Sequence, residues 1–398
     1  MHGATLQYMP PRLHPAPAPR DALIITAPGL EPLARRELAL LDIAVSGEEP
    51  GAVMAALTSR DVMRANLHLR TASRVVLRLA EFKAVSFADV ERHAKRVPWE
   101  TVVTPGRRVR FRVTCRKSRL YHSGAVAQRL MEALVGRMPD VAAADAGHHD
   151  DEDGGAEQLF IVRLFRDHLM LSADTSGELL HRRGYRQATA KAPLRETLAE
   201  AMLLGAGWDG STPLADPMCG SGTIPIEAAM IARRMAPGLR RAFAFEQWPD
   251  HDAKAWRAVQ AEASAKTLTT EIPVIQASDR DAGAVAATLA NAARAGVAAD
   301  LAVTRQSLSA LRVRGNAGLL VVNPPYGIRV GDKKPLRDLF AQLGNVARAQ
   351  AAGWRLAMLS ADRDLERQVR MAFTEQWKST NGGIPVRLVT TEVAGDGH

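Results

Sequence analysis

Leu214-Ala215-Asp216-Pro217-Met218-Cys219-Gly220-Ser221-Gly222-Thr223 is the stretch on which the fold turns. An apolar strand ends at Asp216, a glycine-containing loop follows, and an apolar helix starts at Thr223. Gly220 and Gly222 let the backbone pass close to a ligand with no Cβ in the way. The helix start aims free N–H groups at whatever the loop holds. No lysine follows the second glycine, so this is not a phosphate-cradling loop, and the three-glycine dinucleotide fingerprint is also missing. What remains suits a ligand with an amino acid end and no phosphate. Asp216 at the strand tip meets its ammonium; Cys219, Ser221 and Thr223 complete the loop.

Reading outward, strand and helix patterns alternate. A helix over Leu194–Leu204 precedes the strand. Then come a strand at Val274–Ser278, a helix at Asp281–Ala295, strands at Leu301–Thr304 and Leu319–Val322, a helix at Leu336–Gln350 and a strand at Trp354–Ser360. Such alternation predicts a doubly wound, mostly parallel sheet of the Rossmann-like kind. A terminal hairpin around Asn381-Gly382-Gly383 adds one antiparallel strand. Ligands in such sheets bind beyond the carboxyl ends of the strands. Asp279 stands at one of those ends, where an acid accepts hydrogen bonds from ribose hydroxyls; Asp281 caps the helix that follows.

Asn323-Pro324-Pro325-Tyr326 stands at another. Two prolines fix the backbone, so the Asn323 side-chain oxygen and the Pro324 carbonyl become rigid acceptors aimed at one spot. A planar NH2 is a poor nucleophile because its lone pair is delocalised into the π-system. Two acceptors on its hydrogens favour pyramidal nitrogen and free the lone pair toward an incoming methyl group. Tyr326 supplies a flat face on which an amino-bearing ring stacks. A sulfonium methyl donor is already activated, so this chemistry calls for no metal and no strong base.

The first half reads differently. Short strands at Ala22–Pro28, Val75–Leu79, Arg108–Thr114, Gln158–Arg163 and His168–Ala173 mix with helices near Leu33–Leu41, Phe87–Arg96 and Ser123–Val135, which predicts a small α+β region. Between Arg60 and Leu130 stand 17 Lys and Arg against 5 Asp and Glu, a balance of +12 that leaves the remainder of the chain at −3 within a net +9. Arg108, Arg110 and Arg112 alternate with Val109, Phe111 and Val113, and Arg116 and Lys117 follow. One strand face is therefore cationic, as a polyanion such as RNA requires. The acidic loop within His148–Gly155 lacks the fixed spacing of a metal site.

A length of 398 residues calls for two or three domains. The 46% hydrophobic and 24% charged fractions fit a soluble globular chain. No apolar run approaches the roughly 18 residues of a membrane span. The two cysteines, Cys115 and Cys219, lack metal spacing and suit a reducing cytoplasm. Residues 1–20, with five prolines, read as a disordered lead-in rather than a signal peptide.

The run from Asp216 to Ala229, together with Asn323-Pro324-Pro325-Tyr326-Gly327, closely resembles the bacterial THUMP-domain RNA methyltransferases with a class I methyltransferase domain. His181–Arg186, Ala192–Glu196, Phe243–Pro249 and Ser278–Asp281 fit as well. The resemblance is dense after His181 and only pattern-like before it. Characterised relatives methylate guanine N2 in 23S rRNA or, in a sister branch, in tRNA. The resemblance implies a ferredoxin-like segment (21–80), a THUMP RNA-binding domain (81–180) and a class I methyltransferase domain (185–398). It implies S-adenosylmethionine as cofactor, with Asp216, Cys219, Gly220, Ser221, Gly222 and Thr223 along its methionine part and Asp279 on its ribose. Asn323, Pro324, Pro325 and Tyr326 would hold the target base, and Arg195 and Glu196 would close over the cofactor or pair locally. Relatives often carry an acid for the adenine amino group where this chain has Gln306-Ser307. Asn-Pro-Pro-Tyr also serves enzymes that methylate glutamine or adenine N6. The former need no +12 module, and the latter need a duplex-reading domain for which too little chain follows Tyr326. A non-catalytic RNA-binding assembly factor is the remaining alternative.

Overall fold

The computed structural model describes residues 18–144, 157–187, 194–326 and 333–394. Residues 1–17 of the lead-in and the whole acidic loop (148–155) lie outside the described residues; Arg20, read as the end of the lead-in, instead begins the first strand, where it pairs with Leu57.

Eight strands of the first half form one sheet, in the order β2-β3-β1-β4-β8-β7-β5-β6. They are β1 (Arg20–Thr26), β2 (Val45–Glu49), β3 (Ala52–Leu57), β4 (Ala72–Lys83), β5 (Arg108–Arg116), β6 (Ala142–Ala143), β7 (Gln158–Phe165) and β8 (His168–Asp174). Helices α1 (Glu31–Leu40), α2 (Ser59–His68), α3 (Phe87–Ala94) and α4 (Ser123–Arg137) connect them. Thr58 and Ser86 start α2 and α3 with capping boxes, each hydroxyl accepting from the N–H three residues on, at Asp61 and Asp89. The twelve-residue β4 pairs with β1 on one side and β8 on the other, so the chain around residue 80 runs through the middle of a strand. On β5, Val109, Phe111, Val113 and Cys115 face the core, with Phe111 stacked on Phe160 at 5.1 Å between ring centroids. The intervening arginines take the other face, as the alternation requires. Arg110 there pairs with Glu157 at 3.2 Å.

The second half builds a seven-stranded sheet, in the order β11-β10-β9-β12-β13-β15-β14. Its strands are β9 (Leu214–Asp216), β10 (Ile275–Asp279), β11 (Leu301–Arg305), β12 (Leu319–Val322), β13 (Arg355–Ser360), β14 (Thr374–Asn381) and β15 (Ile384–Glu392). Helices α5 (Glu196–Gly205), α6 (Thr223–Ala232), α7 (Ala253–Ala265), α8 (Ala282–Ala295), α9 (Lys333–Gln350) and α10 (Arg363–Gln368) complete it. The pairs from β11 to β13 are parallel, while β15 runs antiparallel to both β13 and β14, so a single strand breaks the direction. Both faces are buried. Along β12, Leu319 and Val321 pack among α5, α6 and α8, and Leu320 and Val322 pack against α9. That is why this strand reads as a continuous apolar run.

The two cores do not divide where the sequence grammar changes. Phe243, Phe245, Trp248, Trp256 and Val259, from the α6–β10 connection, pack into the first core with Ile24, Leu67 and Phe160. Trp248 Nε1 donates to Gln158 Oε1 at 2.8 Å. Among the described residues, no helix is long and apolar enough to cross a membrane. Within the same residues, no group of three His, Cys, Asp or Glu is placed to hold a metal.

Candidate active site

Between β9 and β12 the strand order reverses, and the carboxyl ends of β9, β10 and β12 open onto a cavity of about 810 Å³. Such a switch point is where open parallel sheets hold ligands. Asp216, Cys219, Gly220, Ser221, Thr223, Asp279, Asn323, Pro324, Pro325 and Tyr326 all line this cavity. Gly222 lies beneath it, at φ +87°, as the residue before α6. The five candidate RNA-binding residues, Arg108, Arg110, Arg112, Arg116 and Lys117, stand on or directly after β5 in the other sheet.

The glycine loop is held from below by α8. Thr288 Oγ1 donates to the Gly220 carbonyl at 3.0 Å, and Asn291 Nδ2 donates to the Ser221 carbonyl at 2.9 Å. A Cβ on Gly222 would stand 2.8 Å from Thr288 Cγ2, whereas one on Gly220 would meet nothing within 4 Å. The loop therefore has a packed side and an open side. Cys219 is on the packed side: it is buried, with Sγ 3.6 Å from Thr288 Oγ1, and burial pushes its thiol well above the usual range. It is a packing group rather than a nucleophile.

The two carboxylates differ in setting. Asp279 accepts from the Gly220 N–H at 3.1 Å and from the Asp281 N–H at 3.0 Å, which ties β10 to the loop. Asp281 in turn accepts from Ala284 N and caps α8, as its sequence position predicts. Asp216 is 2% exposed and accepts from Met218 N at 3.0 Å; burial, and then the nearby Asp279, push it up to about 8. A buried carboxyl that no cation among the described residues neutralises is a natural seat for an ammonium. The open glycine face, two carboxylates and the absence of Lys in the loop together fit S-adenosylmethionine.

At the β12 end, Tyr326 Oη donates to Asn323 Oδ1 at 2.8 Å and accepts from Asn381 Nδ2 at 3.0 Å. Burial pushes the phenol up to about 12, so it stays a neutral donor. Gln306 turns to Ser278, donating to its Oγ at 3.2 Å, and leaves Ser307 and Leu308 to line the cavity. Arg195 also lines it. Glu196 does not: it is buried and paired with Arg186 at 2.8 Å, the local alternative of its two readings. Asn381 and Gly382, from the terminal hairpin, were legible only as a turn, because nothing local tells which site a hairpin tip will reach.

Known proteins share this family and fold. Residues 183–390 match the model of the RMKL-like methyltransferase domain, and residues 21–76 match the RlmL ferredoxin-like domain. The Synechocystis sp. protein slr0064, named as an RNA methyltransferase, is 31% identical over 94% of this chain and 97% of its own length. The ribosomal RNA large subunit methyltransferase K/L of Syntrophotalea carbinolica is 36% identical over 93% of this chain. The chain spans only 53% of that protein, about half the length of such K/L relatives. The crystal structure of the methyltransferase SMU.472 complexed with SAH superposes with a TM-score of 0.83 at 27% identity, covering 96% of this chain and 99% of that one.

Proposed function

The chain belongs to the RMKL-like methyltransferase family, and from that premise we propose that it transfers a methyl group from S-adenosylmethionine to the exocyclic N2 of a guanine in RNA, 23S rRNA first and tRNA as the alternative. The observation that carries this reading is one cavity holding both halves of the chemistry. A glycine loop with Asp216 and Asp279 stands on one side of the switch point, and Asn323-Pro324-Pro325-Tyr326 stands on the other.

Bound S-adenosylmethionine supplies a methyl group already activated on a sulfonium. Asp216 holds the ammonium of the methionine part. Asp279, braced by two backbone N–H groups, accepts from the ribose hydroxyls. Asn323 Oδ1 and the Pro324 carbonyl accept the two hydrogens of the target amino group and align its lone pair. Tyr326 stacks the base after it leaves the RNA stack. Pro325, exposed at the rim, keeps the turn rigid.

In the same reading, residues 81–180 form the THUMP RNA-binding part, working with the ferredoxin-like part at 21–80 and the methyltransferase part at 185–398. Arg108, Arg110, Arg112, Arg116 and Lys117 engage phosphates. The enzyme then acts on ribosomal RNA in the cytoplasm. Mass spectrometry of nucleosides from rRNA and tRNA of a deletion strain tests it. Loss of N2-methylguanosine from 23S rRNA is expected. Loss of N6-methyladenosine alone would turn the reading to adenine, and a purified chain without cofactor affinity would point to an assembly factor.

A further inference from the structure

Asn381 belongs to the hairpin that closes the second sheet, 55 positions after Tyr326 in the chain. β14 ends at Asn381 and β15 begins at Ile384, with Gly382 at φ +56° and Gly383 at φ +83° between them. Two central residues with positive φ make the tight hairpin turn whose twist matches its strands, so the register Asn381↔Ile384 is fixed. The tip thereby reaches the cavity, which Asn381, Gly382 and Ile384 help to line.

Two hydrogen bonds give this placement a consequence. Asn381 Nδ2 donates to Tyr326 Oη at 3.0 Å, and Tyr326 Oη donates to Asn323 Oδ1 at 2.8 Å. A carboxamide nitrogen can only donate, so it occupies a lone pair of the phenol oxygen and turns the single phenol proton toward Asn323. That proton in turn holds the Asn323 amide with its oxygen toward Tyr326. The oxygen's other lone pair is left for the substrate. An amide turned over by 180° would present NH2 in its place and repel the amino hydrogens it should accept.

We propose that Asn381 is a positioning residue for methyl transfer, directing the chain Asn381→Tyr326→Asn323 so that the Asn323 oxygen faces the target amino group. The proposal rests on the reading of Asn323 as acceptor of the substrate N–H. Asn381→Asp keeps the shape but, when ionised, can only accept. The phenol proton then turns to the carboxylate, and the phenol oxygen faces Asn323 as an acceptor, which draws the amide nitrogen toward it.

The test is a double-mutant cycle in the full chain, read by single-turnover methylation of RNA at pH 8. With Tyr326 present, Asn381→Asp should lower the rate constant at least 10-fold while leaving KM for RNA, cofactor affinity and melting temperature nearly unchanged. With Tyr326→Phe there is no hydroxyl to direct, and the same substitution should cost less than twofold. Additive losses in the two backgrounds would overturn the proposal, as would a loss confined to KM, which would make Asn381 a direct RNA contact. Should Asn381→Asp melt early, Asn381→Ser is read in the same cycle: it should lose several-fold only while Tyr326 is present, and additivity again overturns the idea. Asn323→Ala separates the two layers. If it is crippled while the cycle is additive, only the role of Asn381 falls. If it turns over normally, the acceptor reading falls and this inference with it.

Discussion

At the scale of single residues, the site is two carboxyls and two carboxamides in different electrical settings. Asp216 is buried, no cation among the described residues pairs with it, and burial pushes it up to about 8, which favours the protonated form at pH 7 in the cofactor-free protein. An ammonium brought against it expels that proton. Titration calorimetry in two buffers of different ionisation enthalpy should therefore show close to one proton released per cofactor bound at pH 7, and Asp216→Asn should abolish the release. The sign for stability is opposite to that of an ordinary salt-bridged acid. The folded chain binds this proton more tightly than the unfolded one, so its cofactor-free stability falls as pH rises from the ordinary carboxyl value near 3.8 toward 8. Asn323→Ala should keep cofactor affinity within a few fold and slow methyl transfer by roughly 100-fold or more, as when one oriented polar group is lost. Near-normal turnover would remove Asn323 from the chemistry. Tyr326 combines a ring and a hydroxyl already committed to Asn323. Tyr326→Phe should lose several-fold through that hydroxyl. Tyr326→Ala should lose a further ~10- to 100-fold with the stacking face, following the 1–3 kcal/mol of base–aromatic stacking. Equal losses in single-turnover assays would mean that the ring does not stack the base.

At the scale of elements, the loop between β9 and α6 works because α8 packs under it. The two glycines separate two jobs. Gly222 sits at φ +87° against Thr288, so Gly222→Ala strains the backbone and collides with a side chain that itself holds the Gly220 carbonyl. A loss of about 2–4 kcal/mol is expected from the left-handed backbone and the overpacking together. Gly220, at φ +55°, faces open cavity. Gly220→Ala should cost about 1–2 kcal/mol of stability for its backbone alone, yet lower cofactor affinity at least as much as Gly222→Ala does. Melting curves beside cofactor titrations check the contrast. If both variants lose stability equally, the division into packed and open sides is wrong.

At the scale of the whole molecule, the two sheets are joined by more than a linker. Arg70, between α2 and β4, donates to Glu200 on α5, and the Arg183 guanidinium returns to the Arg70 carbonyl at 2.7 Å. Trp256 on α7 completes the first core, edge-on to Phe245 at 5.2 Å, although it lies among residues that read as part of the second. Trp256→Ala should destabilise the first sheet's core by about 3–5 kcal/mol. Hydrogen exchange should register it in β4, β7 and β8 rather than in β9–β12, and the opposite pattern would refute the shared core. Phosphate contacts belong at this scale too. Arg116 and Lys117 are exposed at the end of β5. Replacing both by Ala in the full chain should weaken RNA binding across sequences and lower the salt slope by roughly one per lost contact. Cofactor affinity should not change, and an unchanged salt slope would move the RNA to another face.

The parts legible in the sequence were those written in consecutive residues. The strand, loop and helix around Asp216 are local, as are the caps at Asp281 and the rigid Asn-Pro-Pro-Tyr corner. The apolar run of β12 announces burial on both faces because neither face can afford a polar group. Alternation along β5 separates its cationic face from its apolar one by the pleat alone. Polar β2 and small-residue β3 carry no such periodic signal, and they emerge only as partners of β1. Three features needed the tertiary structure. β4 reaches β8 to make one sheet of eight strands, α7 crosses to the first core, and the hairpin brings Asn381 to Tyr326. Each joins residues far apart in the chain, and side-chain pattern states that a face must be covered without stating by what. The crossovers and the packing of both sheet faces decide that, and with it how Asn323 is oriented.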